Sequence, residues 1–571
     1  MRRRDLVLLL YAALFVAGYA GWTRPARPSL DSSASASALS SRSNIHARDY
    51  VGPQACAECH VEKHRAWRTH PHSRMNLDAS AESVVGDFSG RELSYAGRRV
   101  RFHQDQGAYF MTLVSGEVTR RYRVTRTIGS RFTQMYAGVL VEGPEPPGDP
   151  AYEREGKLPF GWWISRQAWY PEPYFDSDCP PEYDERGRLS LPPELAHQTS
   201  WSANCIYCHN TYAYEERLRE AGTQGFPARD LRLREEQVGE DASPGLDPSE
   251  LVTLGISCES CHFGGREHAQ LGRPISFLPQ SEALEFRPAG GLGAGELSAP
   301  RRSAYAINSI CNQCHYSQGV SPYPNGAGIW NSREAVDLLG GACQGELKCT
   351  DCHDPHQPGP PGGGPDQPAH VAACLECHQE LATPARQEEH GQHSLGAGVS
   401  CLDCHMPRIV QGLEAVVRTH RVSSPGDPRM IEAGAPNACN LCHLDRSIAW
   451  TASALELGWG RRVSPPAAAY AGRLDAPVGQ VWLASSTAIH RLVGADAYSR
   501  SPLGRRELPR LIRALDDPMA VNRVFAQFSL ERVLGRRLSE AELSPLASPA
   551  RRRAQLRELL ARAERGELLP N

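Results

Sequence analysis

The chain has 571 residues, enough for several domains, and a formal net charge of −3 from 62 basic and 65 acidic side chains. So even a balance carries no signature of a nucleic-acid partner or of a polybasic membrane surface. Only Lys63, Lys157 and Lys348 are lysines; the other basic residues are arginines, whose planar fork suits bidentate pairing with carboxylates.

At the amino terminus three arginines precede an apolar run from Leu6 to Trp22, the pattern of an export signal. The run is slightly long for a signal core and slightly short for a spanning helix. Residues 1–22 therefore read as a signal peptide, cleaved after the small residues ending at Ala20, or as an uncleaved membrane anchor. Residues 23–49, with the stretch "SLDSSASASALSSRS", read as a flexible linker. Either way the rest of the chain is expected in the periplasm of a bacterium.

From residue 56 onward one pattern, C-x-x-C-H, recurs eight times. It falls at Cys56, Cys59 and His60, at Cys205, Cys208 and His209, and at Cys258, Cys261 and His262. It returns at Cys311, Cys314 and His315, at Cys349, Cys352 and His353, and at Cys374, Cys377 and His378. The last two copies are Cys401, Cys404 and His405, and Cys439, Cys442 and His443. Zinc ribbons need ligands that converge on a tetrahedron but no histidine directly after each pair. A thiol–disulfide couple needs one pair, not eight. Disulfides within each pair are geometrically awkward and leave the histidine without a role. Covalent haem attachment uses every element: two sulfurs reach the two vinyl groups on one porphyrin edge, and the next imidazole ligates the iron. The pattern predicts eight covalently bound c-type haems. Cys179 and Cys343 remain, as a disulfide in an oxidising compartment or as two free thiols.

Between the first and second motifs the alternation in "RRYRVTRTI" predicts β structure, with Tyr122, Val124 and Ile128 on one face. "RRVRFHQDQGAYFMTLV" adds a hairpin turning at Asp105–Gly107. The β segment is expected near 85–141, followed by a loop over 142–150 and the aromatic stretch "PFGWWISRQAWYPEPYF", which suits a porphyrin face or an ordinary core. Seven motifs then crowd into residues 205–443, too little chain for a conventional apolar core. Porphyrins are expected to supply much of the buried surface there.

After His443 the period becomes helical. Leu508, Leu511, Ile512 and Leu515 form one stripe, and Val521, Val524, Phe525 and Phe528 another, with "DDPMA" as the turn between them and "SP" at 548–549 starting a last helix. One HEAT-type repeat fits this stretch. The expected fold is mainly α, with long loops around packed haems, a small β segment and a C-terminal helical, HEAT-like domain. The domains are 50–443, carrying the haems, and 444–571.

"YVGPQACAECHVEKHRAWRTHPHSRM", "GISCESCHFGGREH", "GVSCLDCHMPR" and "THRVSSPGDPRMIEAGAPNACNLCHLDRSIAW" together resemble the exported multihaem cytochromes c, the family of the nitrifier tetrahaem cytochrome and hydroxylamine oxidoreductase, over roughly residues 50–455. The resemblance implies distal haem ligands at His268, at His70 or His72, at His390 and His393, and at His420. His356 in "CHDPH" joins them, serving a neighbouring haem because its loop is short, and His197 and His370 complete the set. His64 stands one helical turn beyond His60 and is not expected to reach the opposite face of that haem. His46, His103 and His490 are expected as surface or structural residues, and Met406 as packing.

Two functions from different classes follow. Closely packed bis-histidine haems make an electron-transfer protein whose partners are redox proteins. One haem with an open coordination position makes an oxidoreductase for a small nitrogen or sulfur compound. The C-x-x-C-K motif of related nitrite and tetrathionate reductases is absent from the sequence. A third reading, compatible with both, is a helical tail that docks a redox partner.

Overall fold

The computed structural model describes residues 42–95, 97–172, 199–219, 231–233, 246–286, 302–316, 322–359, 367–545 and 547–569. The export or anchor segment, most of the linker, Cys179 and His197 lie outside the described residues. Among those described, no helix is long and apolar enough to cross a membrane.

The β structure is larger than a small insert near 85–141. Nine antiparallel strands run from β1 (Asn76–Asp78) through β2 (Arg91–Tyr95), β3 (Arg98–Asp105), β4 (Ala108–Ser115), β5 (Val118–Ile128), β6 (Thr133–Glu142), β7 (Gly156–Lys157) and β8 (Phe160–Trp163) to β9 (Ala168–Pro171). The main order is β2-β3-β4-β5-β6-β8-β9, with β1 paired to β5 and β7 to β6. Gln106 and Gly107, both at positive φ, close the β3–β4 hairpin, as a tight two-residue turn requires.

Aromatic rings curl this sheet until its ends meet. Phe102 of β3 stacks on Trp169 of β9, with ring centres 3.7 Å apart and planes 4° from parallel, and Tyr95 of β2 meets Phe160 of β8 edge-on. The aromatic stretch that follows residue 158 is therefore core of the sheet: Phe160, Trp162, Trp163, Trp169 and Tyr170 are all buried. One expectation about its faces needs correcting. Val124 enters this core, but Ile128 packs with Trp201 and Ile206 in a different cluster. A bulge between Val124 and Arg126 inserts one residue, and one residue inverts every later side chain.

Helices carry most of the rest. The longer ones are α1 (Val61–Thr69), α2 (Ala304–Asn312), α3 (Gln367–Cys377), α4 (Ile448–Trp459), α5 (Ala488–Arg500), α6 (Leu508–Ala514), α7 (Ala520–Leu534) and α8 (Pro549–Glu564). The Ser548 hydroxyl caps α8 by accepting from the Arg551 N–H. Helix α7 is the hub of the carboxy-terminal part. Val521 and Phe525 join the cluster of Ile409, Val410 and Val416, while Val524 enters the core of the sheet. Phe528 meets Trp163 edge-on at 4.7 Å, under the guanidinium of Arg166, which also pairs with Glu531.

A different situation holds between Gly341 and Ser400. Among the described residues of this stretch not one is buried, although α3, the helix Pro384–Gly391 and three short 3-10 turns form there. Isolated helices this short are marginal in water, and an apolar face with nothing to cover it does not hold a fold. Two C-x-x-C-H motifs lie in this stretch.

Candidate haem-attachment sites

Each motif begins in or beside a helical element: Pro53–Ala57, Ile206–His209, Cys258–His262, α2, the 3-10 turn Cys349–Asp351, α3, Cys401–His405 and Ala438–Cys442, of which Cys258–His262 and Cys401–His405 span the whole motif. Local capping shapes several. Ser400 and Asp403 form a capping box over the seventh motif, and Arg418 pairs with Asp403 at 2.7 Å. Asn437 accepts from the Asn440 N–H at the eighth.

The tertiary structure brings the motifs together in an order that differs from the chain. The thiols of Cys56 and Cys258 lie within hydrogen-bonding reach, joining the first motif to the third. Cys208 reaches Cys314, and Cys311 reaches Cys349, so the fourth motif adjoins both the second and the fifth. Cys261 of the third motif also feels Cys311. Cys374 lies in the field of both Cys352 and Cys401, and Cys404 in that of Cys439 and Cys442. The motifs thus follow the line 1-3-4-5-6-7-8, with the second attached beside the fourth.

Buried polar side chains staple neighbouring motifs. Glu259 accepts from the backbone N–H groups of Val51, Gly52 and Gly265, tying the third motif to the strap before the first. Arg217 donates to the carbonyls of Tyr207 and Gln313, between the second and fourth. Asn308 on α2 donates to the Leu347 carbonyl and accepts from the Cys349 N–H, between the fourth and fifth. The composition of the motifs gives no hint of these residues; each is legible only from its contacts.

Imidazoles then face each other in pairs. His60 faces His268 with ring centres 6.0 Å apart and planes 17° from parallel. His262 faces His356 at 6.2 Å and 17°, His405 faces His390 at 6.0 Å and 19°, and His443 faces His393 at 6.0 Å and 33°. His353 has two neighbours: His420 at 6.3 Å and 34°, and His370 at 5.9 Å and 66°. His370 is held by its Nε2 on the Cys352 carbonyl. Stacked rings would sit much closer than 6 Å. Two metal–imidazole bonds of about 2.1 Å plus two ring radii of about 1.1 Å would put the centres about 6.4 Å apart, so each gap has close to the width that one iron held between two imidazoles would need.

His72 is half-buried and lies in the field of His315, with His70 tilted beside it at 4.6 Å and in the field of His356. Burial first, then those neighbours, pushes His72 down to about 3. Among the described residues no histidine ring is paired in this way with His209, His315 or His378. His209 is pushed down to about 4 by burial, and its Nδ1 is a buried atom with no partner among the described residues. The outer histidines are elsewhere. His46 bonds Glu215 and Ser281, His103 bonds Thr112, and His490 lies near Ser485. His64 packs on Trp67 in α1. Cys343 is a half-exposed thiol whose pKa burial and Cys377 raise.

These residues fit haem on two counts: imidazole gaps of one-iron width, and a motif-bearing stretch that needs a buried surface its own side chains do not provide. Among the described residues no group of three or more His, Cys, Asp or Glu converges as a bare metal site.

One family match agrees with this chemistry. Residues 387–453, which hold the seventh and eighth motifs, match the family cytochrome c552. No curated protein matches the chain. Among solved structures it is similar to the outer cell wall cytochrome OcwA, at 14% identity and a TM-score of 0.37, over 90% of this chain and 99% of that one. It is also similar to the octahaem sulfite reductase MccA of Wolinella succinogenes, at 14% identity and a TM-score of 0.31, over 92% of this chain and 85% of that one. The motifs and the family match define a multihaem c-type cytochrome. It carries haem covalently, and its function is electron transfer or redox chemistry.

Proposed function

We propose that the protein is an exported octahaem cytochrome that passes electrons along a line of adjacent, mostly bis-histidine haems to redox partner proteins. The observation that carries this reading is the set of five facing imidazole pairs, each joining a motif histidine to a histidine outside the motifs. When bound, haem supplies reversible one-electron chemistry. The chain contributes three things: ligands on both sides of each gap, polar staples that keep neighbouring motifs adjacent, and a helical tail, HEAT-like in pattern, whose α7 locks the sheet to the last motifs. His268, His356, His420, His390 and His393 are the distal ligands on this reading, and His72 serves His315. The test is carbon monoxide binding to the reduced holoprotein, whose mass should show eight haems. A saturated array takes up little; stoichiometric uptake at several haems overturns the conducting role.

A second reading, an oxidoreductase for a small nitrogen or sulfur compound, is favoured by His209 and His378, which face no histidine among the described residues. One equivalent of carbon monoxide bound, together with turnover of nitrite, hydroxylamine or sulfite, would establish it.

A further inference from the structure

His315, the histidine of the fourth motif, has the closest carboxylate partner of the motif histidines among the described residues. Its Nδ1 donates to Glu334 Oε2 at 2.8 Å. The other carboxylate oxygen accepts the Ser332 N–H at 2.9 Å, from a backbone turn in which Ser332 adopts a φ of 64°. Glu334 opens the helix Glu334–Leu339, so its position is set by that turn and by the helix behind it. Four other motif histidines contrast with this. His405 donates its Nδ1–H to a neutral carbonyl, that of Ser423 at 2.9 Å. Nδ1 of His209 and of His262 is buried with no partner among the described residues. His378 approaches Glu380 only at 3.4 Å, and both side chains are more than half exposed.

The acceptor matters because it acts on the metal through the ring. A carboxylate on Nδ1–H draws the proton, gives the imidazole imidazolate character, and makes Nε2 a stronger donor. A stronger axial donor stabilises ferric over ferrous iron, so the group it ligates is harder to reduce. A backbone carbonyl, being neutral, does this more weakly.

The fourth motif is also where the line of motifs branches. Cys311 reaches Cys349 of the fifth, Cys314 reaches Cys208 of the second, and Cys261 of the third feels Cys311. We infer that Glu334 is a positioning residue that makes the haem at Cys311, Cys314 and His315 the most reducing of the array, placing a potential step at its junction. This rests on the electron-transfer reading above and adds where the energetic barrier within it lies.

The experiment is a potentiometric titration of the holoprotein, followed optically and by electron paramagnetic resonance, on the wild type and on Glu334→Gln and Glu334→Asp. Gln keeps the hydrogen bond and removes the charge. The inference expects the lowest of the midpoints, and no other, to move upward in Glu334→Gln, with the low-spin g values of one haem spreading apart. Glu334→Asp, which keeps the charge on a shorter arm, should return part of the shift. An unchanged lowest midpoint in a fully haem-loaded Glu334→Gln overturns it, as does an upward drift of all midpoints together. If Glu334→Gln loads poorly, the Asp variant decides: wild-type potentials with its bond lengthened also overturn the inference. Failure of the electron-transfer reading would look different, as carbon monoxide binding and turnover in the wild type with the Glu334 effect intact.

Discussion

His60 and His268 face each other across 6.0 Å although they stand on opposite sides of the second and third motifs in the chain. His268 Nδ1 donates to the Arg273 carbonyl at 2.8 Å, which fixes the tautomer and leaves Nε2 as a lone-pair donor. The fold makes this meeting by stapling the third motif to the strap before the first, through the Glu259 carboxylate. His393 is oriented in the same manner, its Nδ1 on the Gly391 carbonyl at 2.6 Å.

Replacing His268 by Ala should therefore open one coordination position and no more. The ferric protein is expected to gain one high-spin signal, and the reduced protein one equivalent of carbon monoxide uptake over wild type. His103→Ala, remote from any motif, should change neither spectrum.

Glu259→Ala should destabilise the junction between the first and third motifs. It leaves three backbone N–H groups without their charged acceptor, at a cost of at least about 2–3 kcal/mol. Chemical denaturation should show a lower midpoint, and limited proteolysis should cut first near Val51 and Gly52. Burial raises the Glu259 pKa against the pull of those N–H groups, so Glu259→Gln is expected to recover part of the loss.

Phe525→Ala removes a ring that is 2% exposed and sits at the hub of α7. A loss of about 3–5 kcal/mol is expected, read as a fall in the melting temperature of the holoprotein. Because α7 also contacts the sheet, the near-ultraviolet signal of its tryptophans should weaken in the same transition.

Acid should loosen the tail through Glu542. Arg536 first, then the Ser539 N–H and Arg562, hold its carboxyl well below the usual range. A folded pKa below the unfolded value of about 4.3 means this stabilisation is complete above that pH and is lost as pH falls through the folded value. Glu542→Gln should be less stable than wild type at neutral pH, and the difference should shrink as pH drops below about 4. A constant difference across that range would refute the role.

Much of this is legible in the amino-acid sequence alone. C-x-x-C-H repeats name their own chemistry because covalent attachment demands a fixed local spacing. Asp105–Gly107 and Ser548–Pro549 announce a turn and a helix start through backbone preferences that act over a few residues. The helical stripes at Leu508–Leu515 and Val521–Phe528 hold because their period is set by one helix. The hairpin β8–β9 was harder to read, since a buried strand loses the alternation that marks a half-exposed one. The bulge at Val124–Arg126 carries no sequence signal at all.

The amino-acid sequence by itself determined the attachment chemistry, the distribution of the motifs and the helical character of the tail, because each depends on residues a few positions apart. Tertiary structure alone decided which imidazole faces which, that the second motif joins beside the fourth, and that Glu334 lies against His315. Those relations join residues distant in the chain, and their distances are set by how the whole chain packs rather than by any local spacing.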